Sequence, residues 1–183
     1  MRGIRQNCHY RFVAYLLTFN CYGSHLRGDE RGSVDRVREA RGGAIEPSRE
    51  LMAFGERNMT HAAATLDLYQ ALAVLNAVRE TCSIRHWTLL AAHARSTHIH
   101  IVADGISDSR SAIRDFKSYA SRALNREGAR RRWARGGNAR LLRDSQAVRA
   151  AIRYVVEGQG QPMAVHMAPE QRESPMRQLG ASS

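Results

Sequence analysis

Residues 97–102, Thr97-His98-Ile99-His100-Ile101-Val102, set two imidazoles one residue apart inside an apolar run. Successive side chains of a β-strand point to opposite faces. His98 and His100 therefore share one face, and Ile99 and Ile101 share the other, toward a core. Two neutral imidazoles side by side can ligate one divalent metal ion. Strand packing by itself calls for no such pair. A nucleophile is available among six tyrosines, Tyr10, Tyr15, Tyr22, Tyr69, Tyr119 and Tyr154. A phenol with its ordinary pKa near ~10 attacks poorly unless a nearby cation stabilises the phenolate.

Residues 10–19 are rich in aromatic and aliphatic side chains and predict a first strand. Residues 20–60 show no period and are punctuated by Gly23, Gly28, Gly32, Gly42 and Gly43, which predicts a long functional or mobile connection with a short helix at 48–54. Thr65 reads as an N-cap. Leu66, Tyr69, Leu72, Ala73, Leu75 and Val78 then recur at helical spacing, with the end near Cys82. Residues 87–94 and 97–103 predict a β-hairpin that carries the histidines on a rigid element. A second helix is predicted at 110–126, stopped by Gly128, and a short strand at 138–142. A third helix follows at 146–157, capped by Asp144 or Ser145 and ended by Gly158 and Gly160. Residues 161–183 are expected to be a disordered tail. The order predicts one α+β domain over 1–160, with helices packed on an antiparallel sheet.

The 183 residues suffice for one sizeable core and contain no apolar run of membrane-spanning length. Cys8, Cys21 and Cys82 form neither a CxxC pair nor an even set. Reduced thiols in a cytoplasmic protein are expected. The net charge of +11 favours a polyanionic partner. Lys117 is the only lysine, so arginine bias in the genome also contributes to that charge. The distribution is uneven: residues 110–153 hold thirteen Lys/Arg against Asp115, Glu127 and Asp144. Arg114, Lys117, Arg122, Arg131, Arg132, Arg135, Arg140, Arg143 and Arg153 are candidate phosphate contacts, and Trp133 a candidate stacking platform for an unpaired base.

In chain order, several segments resemble one family: the first strand, the loop Leu26-Arg27-Gly28-Asp29-Glu30-Arg31-Gly32-Ser33, Arg79-Glu80-Thr81-Cys82, the His98/His100 strand, Asp115-Phe116-Lys117-Ser118-Tyr119, Trp133-Ala134-Arg135-Gly136-Gly137, and Ala151-Ile152-Arg153-Tyr154-Val155-Val156-Glu157-Gly158-Gln159-Gly160. Over roughly residues 10–160 the chain resembles the single-tyrosine HUH transposases, in particular the branch of REP-associated tyrosine transposases. The resemblance implies a ferredoxin-like fold with the histidine strand near the sheet centre. It further implies Mg²⁺ or Mn²⁺ on both histidines, and single-stranded or hairpin DNA as substrate. The catalytic tyrosine would leave a 5′-phosphotyrosine and a free 3′-hydroxyl. The family pattern selects Tyr154, with Tyr119 as the alternative. Relatives carry a glutamine four residues after the tyrosine. Here that position is Gly158, so the third metal ligand is either Gln159 or Glu157. Some relatives act as homodimers and others as monomers.

Three other readings compete. A domesticated relative would bind hairpin DNA without cutting it. A metal hydrolase would use water at the histidine pair and form no protein–DNA adduct. A relaxase or rolling-circle initiator shares the chemistry, but such chains are usually longer and many place the tyrosine before the histidines.

Overall fold

The computed structural model describes residues 14–26, 28–29, 33–34, 44–125 and 131–169. In chain order the elements are β1 (Ala14–Asn20), β2 (Ser33–Val34), β3 (Ala44–Ile45), α1 (Arg49–Arg57), α2 (Leu68–Arg85), β4 (Thr88–Ala94), β5 (His98–Asp104), α3 (Ser109–Leu124), β6 (Asn138–Leu142), α4 (Ser145–Val156) and β7 (Ala164–Met167). The main sheet runs β6-β1-β5-β4-β7, with every neighbouring pair antiparallel. The order β1-α2-β4-β5-α3-β6 is a split βαβ arrangement of the ferredoxin-like kind, with β5 inserted between β1 and β4. The expected α+β architecture is therefore the one adopted.

Strand alternation builds two cores. Leu17, Phe19, Ile99, Ile101 and Ala103 meet Val74 and Val78 of α2 and Ile113 and Phe116 of α3 on one face. On the other, Ala14, Ala91, Val102 and Leu142 meet Val148, Ile152 and Val155 of α4. This second face also carries His98 and His100, as alternation from Val102 requires. A full helix–sheet–helix sandwich thus fixes α4 over the histidine side.

Several boundaries differ from the sequence expectation. Helix α2 starts after Asp67 rather than Thr65, because Asp67 and Gln70 form a reciprocal capping box. It runs past Cys82 to Arg85 and is ended by His86 in the left-handed conformation, φ 56°. Its inner face is Ala71, Val74, Leu75, Val78 and Cys82, whereas Tyr69 and Leu72 face outward. Helix α3 is capped by Asp108 and α4 by Asp144. The proposed stop at Gly128 and strand residues 10–13 lie outside the described residues.

The expected tail over 161–183 is corrected in its first part. Residues 164–167 form β7 and pair with Ala91 to Ala94 of β4. Gly160, at φ 70°, reverses the chain after α4, and β7 satisfies the backbone groups of the exposed β4 edge. Residues 170–183 lie outside the described residues. Cys21 and Cys82 are buried free thiols whose pKa is pushed up to about 12 by burial. No described helix is long and apolar enough to cross a membrane.

Candidate active site

The histidine pair stands on the central strand, flanked by β1 and β4. Thr18 of β1 is in register with His100, and Asn20 with His98. The Thr18 hydroxyl lies 2.8 Å from His100 Nδ1, and the Thr97 hydroxyl lies 3.0 Å from His98 Nδ1. Both Nδ1 atoms thus have a hydroxyl partner. The two rings meet edge to face with centroids 4.8 Å apart. Burial, and then the neighbouring His98, lower the His100 pKa to about 4. The ring is therefore neutral at any physiological pH, the state a metal ligand needs.

Tyr154 lies on the last turn of α4. Its ring packs edge-on against His100 with centroids 5.5 Å apart, and the residue remains 48 % exposed. The chain after it is built around Gly158. A Cβ at that position would sit 2.8 Å from the Tyr154 carbonyl oxygen and 3.3 Å from its ring Cδ2. With no Cβ in the way, Gly158 N–H donates to that carbonyl at 3.0 Å just past the end of α4. Gln159 then swings inward. Its Nε2 donates to the Tyr154 carbonyl at 3.2 Å, and its Oε1 lies 3.4 Å from His98 Nε2. Glu157 is exposed at the helix end.

The donors that converge are therefore two imidazole nitrogens and one amide oxygen. Among the described residues no three His, Cys, Asp or Glu side chains group as a metal-binding cluster. The set present is neutral and suits a divalent ion that also takes oxygen ligands from a phosphodiester and water.

His93, on β4 in register with His100, clamps the helix that carries Tyr154. It is fully buried. Its Nδ1 lies 3.0 Å from the Val155 carbonyl, and its Nε2 accepts from Met163 N–H at 3.2 Å. The two bonds assign Nδ1–H as donor and hold the ring neutral, in keeping with a pKa lowered mainly by burial. Arg95, just past β4, adds a cation whose field also lowers His93 and His100. Its guanidinium lies beside Gly160.

A cavity of about 760 Å³ opens over this site between β1, β5, β6 and α4. His100, Tyr154, Arg140, Asn138, Thr18 and His25 are among its walls. Of the basic residues singled out from the sequence, Arg140 alone shares that cavity. Arg135 lies in an adjoining one of about 640 Å³, whose walls also include Arg110 and His25. Arg143 and Arg153 are exposed on the α4 side of the chain.

The rest of the basic segment does not form one track. Helix α3 packs on the sheet face opposite the histidines, so the exposed Arg114 and Arg122 are remote from Tyr154. Arg122 stacks over Tyr119 at 4.0 Å, and Tyr119 packs into the α2/α3 core rather than at the site. Three residues expected at DNA make bonds within the fold. Lys117 Nζ donates to the Ala134 carbonyl at 2.8 Å and to that of Gly136, tying the basic loop to α3. Arg132 is buried and donates to the Leu124 carbonyl at 2.8 Å, capping the end of α3. Trp133 Nε1 donates to Ser121 Oγ at 2.9 Å, and its ring packs edge-on to Phe19. Arg131 covers the Tyr22 ring at 4.7 Å. Sequence reading missed His25 and Arg95, which come close to the site only through packing, and Arg110 in the adjoining cavity. His93 was visible beside the histidine strand, but nothing in its spacing signals two buried bonds.

No family model matches the chain, and no curated protein does. Among solved structures, that of a REP-associated tyrosine transposase bound to a REP hairpin is similar at a TM-score of 0.45 and 16 % identity, covering 85 % of this chain and 70 % of that one.

Proposed function

We propose that this protein is a metal-dependent strand-transfer enzyme for single-stranded or hairpin DNA, with Tyr154 as nucleophile. The observation that carries the reading is the Tyr154 ring packed on His100, 5.5 Å between centroids, with Gln159 reaching from the same helix end to His98. A phenol beside a paired imidazole site, in a chain of net charge +11, suits attack on a phosphodiester.

His98, His100 and Gln159 would hold Mg²⁺ or Mn²⁺, which supplies Lewis-acid polarisation of the phosphodiester. The Tyr154 hydroxyl attacks phosphorus, the P–O3′ bond breaks, and the strand leaves a 5′-phosphotyrosine and a 3′-hydroxyl. The new ester keeps the bond energy, so the strand can be rejoined without ATP. Arg140, another wall of the cavity, binds the phosphate. Thr18 and Thr97 orient the two imidazole rings through Nδ1, and His93 fixes the backbone of α4 one residue beyond Tyr154.

The test is a denaturing gel of the protein incubated with Mn²⁺ and a labelled hairpin oligonucleotide drawn from DNA flanking its gene. A denaturation-resistant adduct is expected. Tyr154→Phe should abolish it with hairpin affinity within about twofold of wild type, because only the nucleophilic oxygen is lost. Tyr119→Phe should retain it. Hairpin binding with no adduct in any variant makes the protein a binding module. Cleavage with no adduct makes it a metal hydrolase.

A further inference from the structure

His25 lies outside every motif discussed above, yet it stands at the junction of the two cavities. It forms a wall of the one that holds His100 and Tyr154 and of the one that holds Arg110 and Arg135. Its position is built. After β1 the chain turns through Gly23, at φ 72°. The Ser24 hydroxyl then lies 2.8 Å from the Cys21 carbonyl and 3.0 Å from the Thr97 carbonyl. Thr97 is the residue before His98, so the turn that presents His25 is fastened to the start of the histidine strand. On the far side the Gly28 carbonyl accepts from Ser48 N–H at 2.9 Å, which pins the other end of the turn.

Asp29 is 8 % exposed, and its Oδ2 lies 3.9 Å from His25 Nδ1. The carboxylate faces the Nδ1 side of the ring. It leaves Nε2 as the nitrogen available to the cavity. The other charged or titratable walls are His100 and Arg140 beside Tyr154, and Arg110 and Arg135 in the adjoining cavity.

Building on the proposed strand-transfer reaction, we propose that His25, oriented by Asp29, is the general acid for the leaving 3′-oxygen and the general base for the reverse reaction. As the Tyr154 Oη–P bond forms, the phenolic proton passes to water. The P–O3′ bond breaks with its electron pair on O3′, and the proton on His25 Nε2 moves to O3′ to give the 3′-hydroxyl. In rejoining, His25 takes that proton back as the hydroxyl attacks the phosphotyrosine. His25 follows β1 and Tyr154 stands on α4, so different elements bring the two to one cavity.

The experiment compares two hairpin oligonucleotides, one all-oxygen and one with sulfur replacing O3′ at the cleaved linkage mapped with the first. A thiolate leaves without a proton, so loss of the acid is tolerated on sulfur. On the oxygen strand, His25→Gln should slow adduct formation by about 10²- to 10³-fold. On the sulfur strand it should stay within a few-fold of wild type. Asp29→Asn should show the same pattern in weaker form, and thermal melting checks that both variants fold. Equal loss on both strands, or no loss on either, overturns the assignment. Tyr154→Phe should be inactive on both. A wild type that forms no adduct on either strand sinks the strand-transfer reading itself, and the role of His25 with it.

Discussion

Gly158 decides where the Gln159 amide goes. The residue has no Cβ to meet the Tyr154 carbonyl at 2.8 Å, so the chain closes against the end of α4 and the next side chain turns toward the histidines. Gly158→Ala must displace either the Tyr154 carbonyl or Gln159. We expect Mn²⁺ affinity, measured by calorimetry, to fall about tenfold in Gly158→Ala and by a similar factor in Gln159→Ala, the usual range for disturbed ligands and their supports. His98→Ala and His100→Ala should lose binding altogether. A Gly158→Ala protein that binds Mn²⁺ as wild type does would remove Gln159 from the ligand set.

At the scale of elements, α4 is held to the sheet by apolar packing and by one buried imidazole. His93→Ala leaves a cavity and strands the Val155 carbonyl and the Met163 N–H inside the protein. The expected cost is about 2–4 kcal/mol in urea denaturation. His93→Phe restores volume without the bonds and should recover only part of it. Both should lower adduct formation more than hairpin binding, because α4 presents Tyr154. On the opposite face, Phe116 is fully buried and packs against Trp87 with ring centroids 5.5 Å apart. Phe116→Ala should cost about 3–5 kcal/mol with little change in Mn²⁺ affinity, since α3 lies on the other side of the sheet. Equal losses of metal binding in Phe116→Ala and Gly158→Ala would contradict that separation.

For the whole molecule, the buried histidines couple stability to pH. His100 has a folded pKa of about 4 against an ordinary value of 6.5, so unfolding takes up a proton between those values. Its contribution is complete above about pH 6.5 and is lost as pH falls toward 4. In EDTA, the stability of wild type relative to His100→Asn should drop by about 2 kcal/mol from pH 7 to pH 5. His93, shifted in the same direction by burial, adds to the slope of both proteins and cancels in the difference. A flat difference across that range would mean that His100 is solvated in the folded state. DNA affinity should also fall steeply with salt. The residues responsible should be the exposed Arg135, Arg140, Arg143 and Arg153, with Lys117→Ala and Arg132→Ala showing their main effect on stability instead.

What the sequence determined by itself is the part governed by local geometry. Two-residue alternation put His98 and His100 on one face, and side-chain caps and glycines marked the helices to within a few residues. Asp67 was missed because Thr65 also has cap chemistry, and the choice rests on the reciprocal bond with Gln70. The strand at 164–167 was missed because four residues carry too little pattern, and pairing with the β4 edge creates it. Tertiary structure alone decided which groups share the cavity. Positions 25, 100, 140 and 154 belong to four segments and meet only when α4 closes over the sheet. It also decided the fate of the basic segment, where charge is legible but burial is not. Lys117, Arg132 and Trp133 bond to carbonyls and a hydroxyl of their own chain, partners that only the packing of α3 against the 131–137 loop brings within reach.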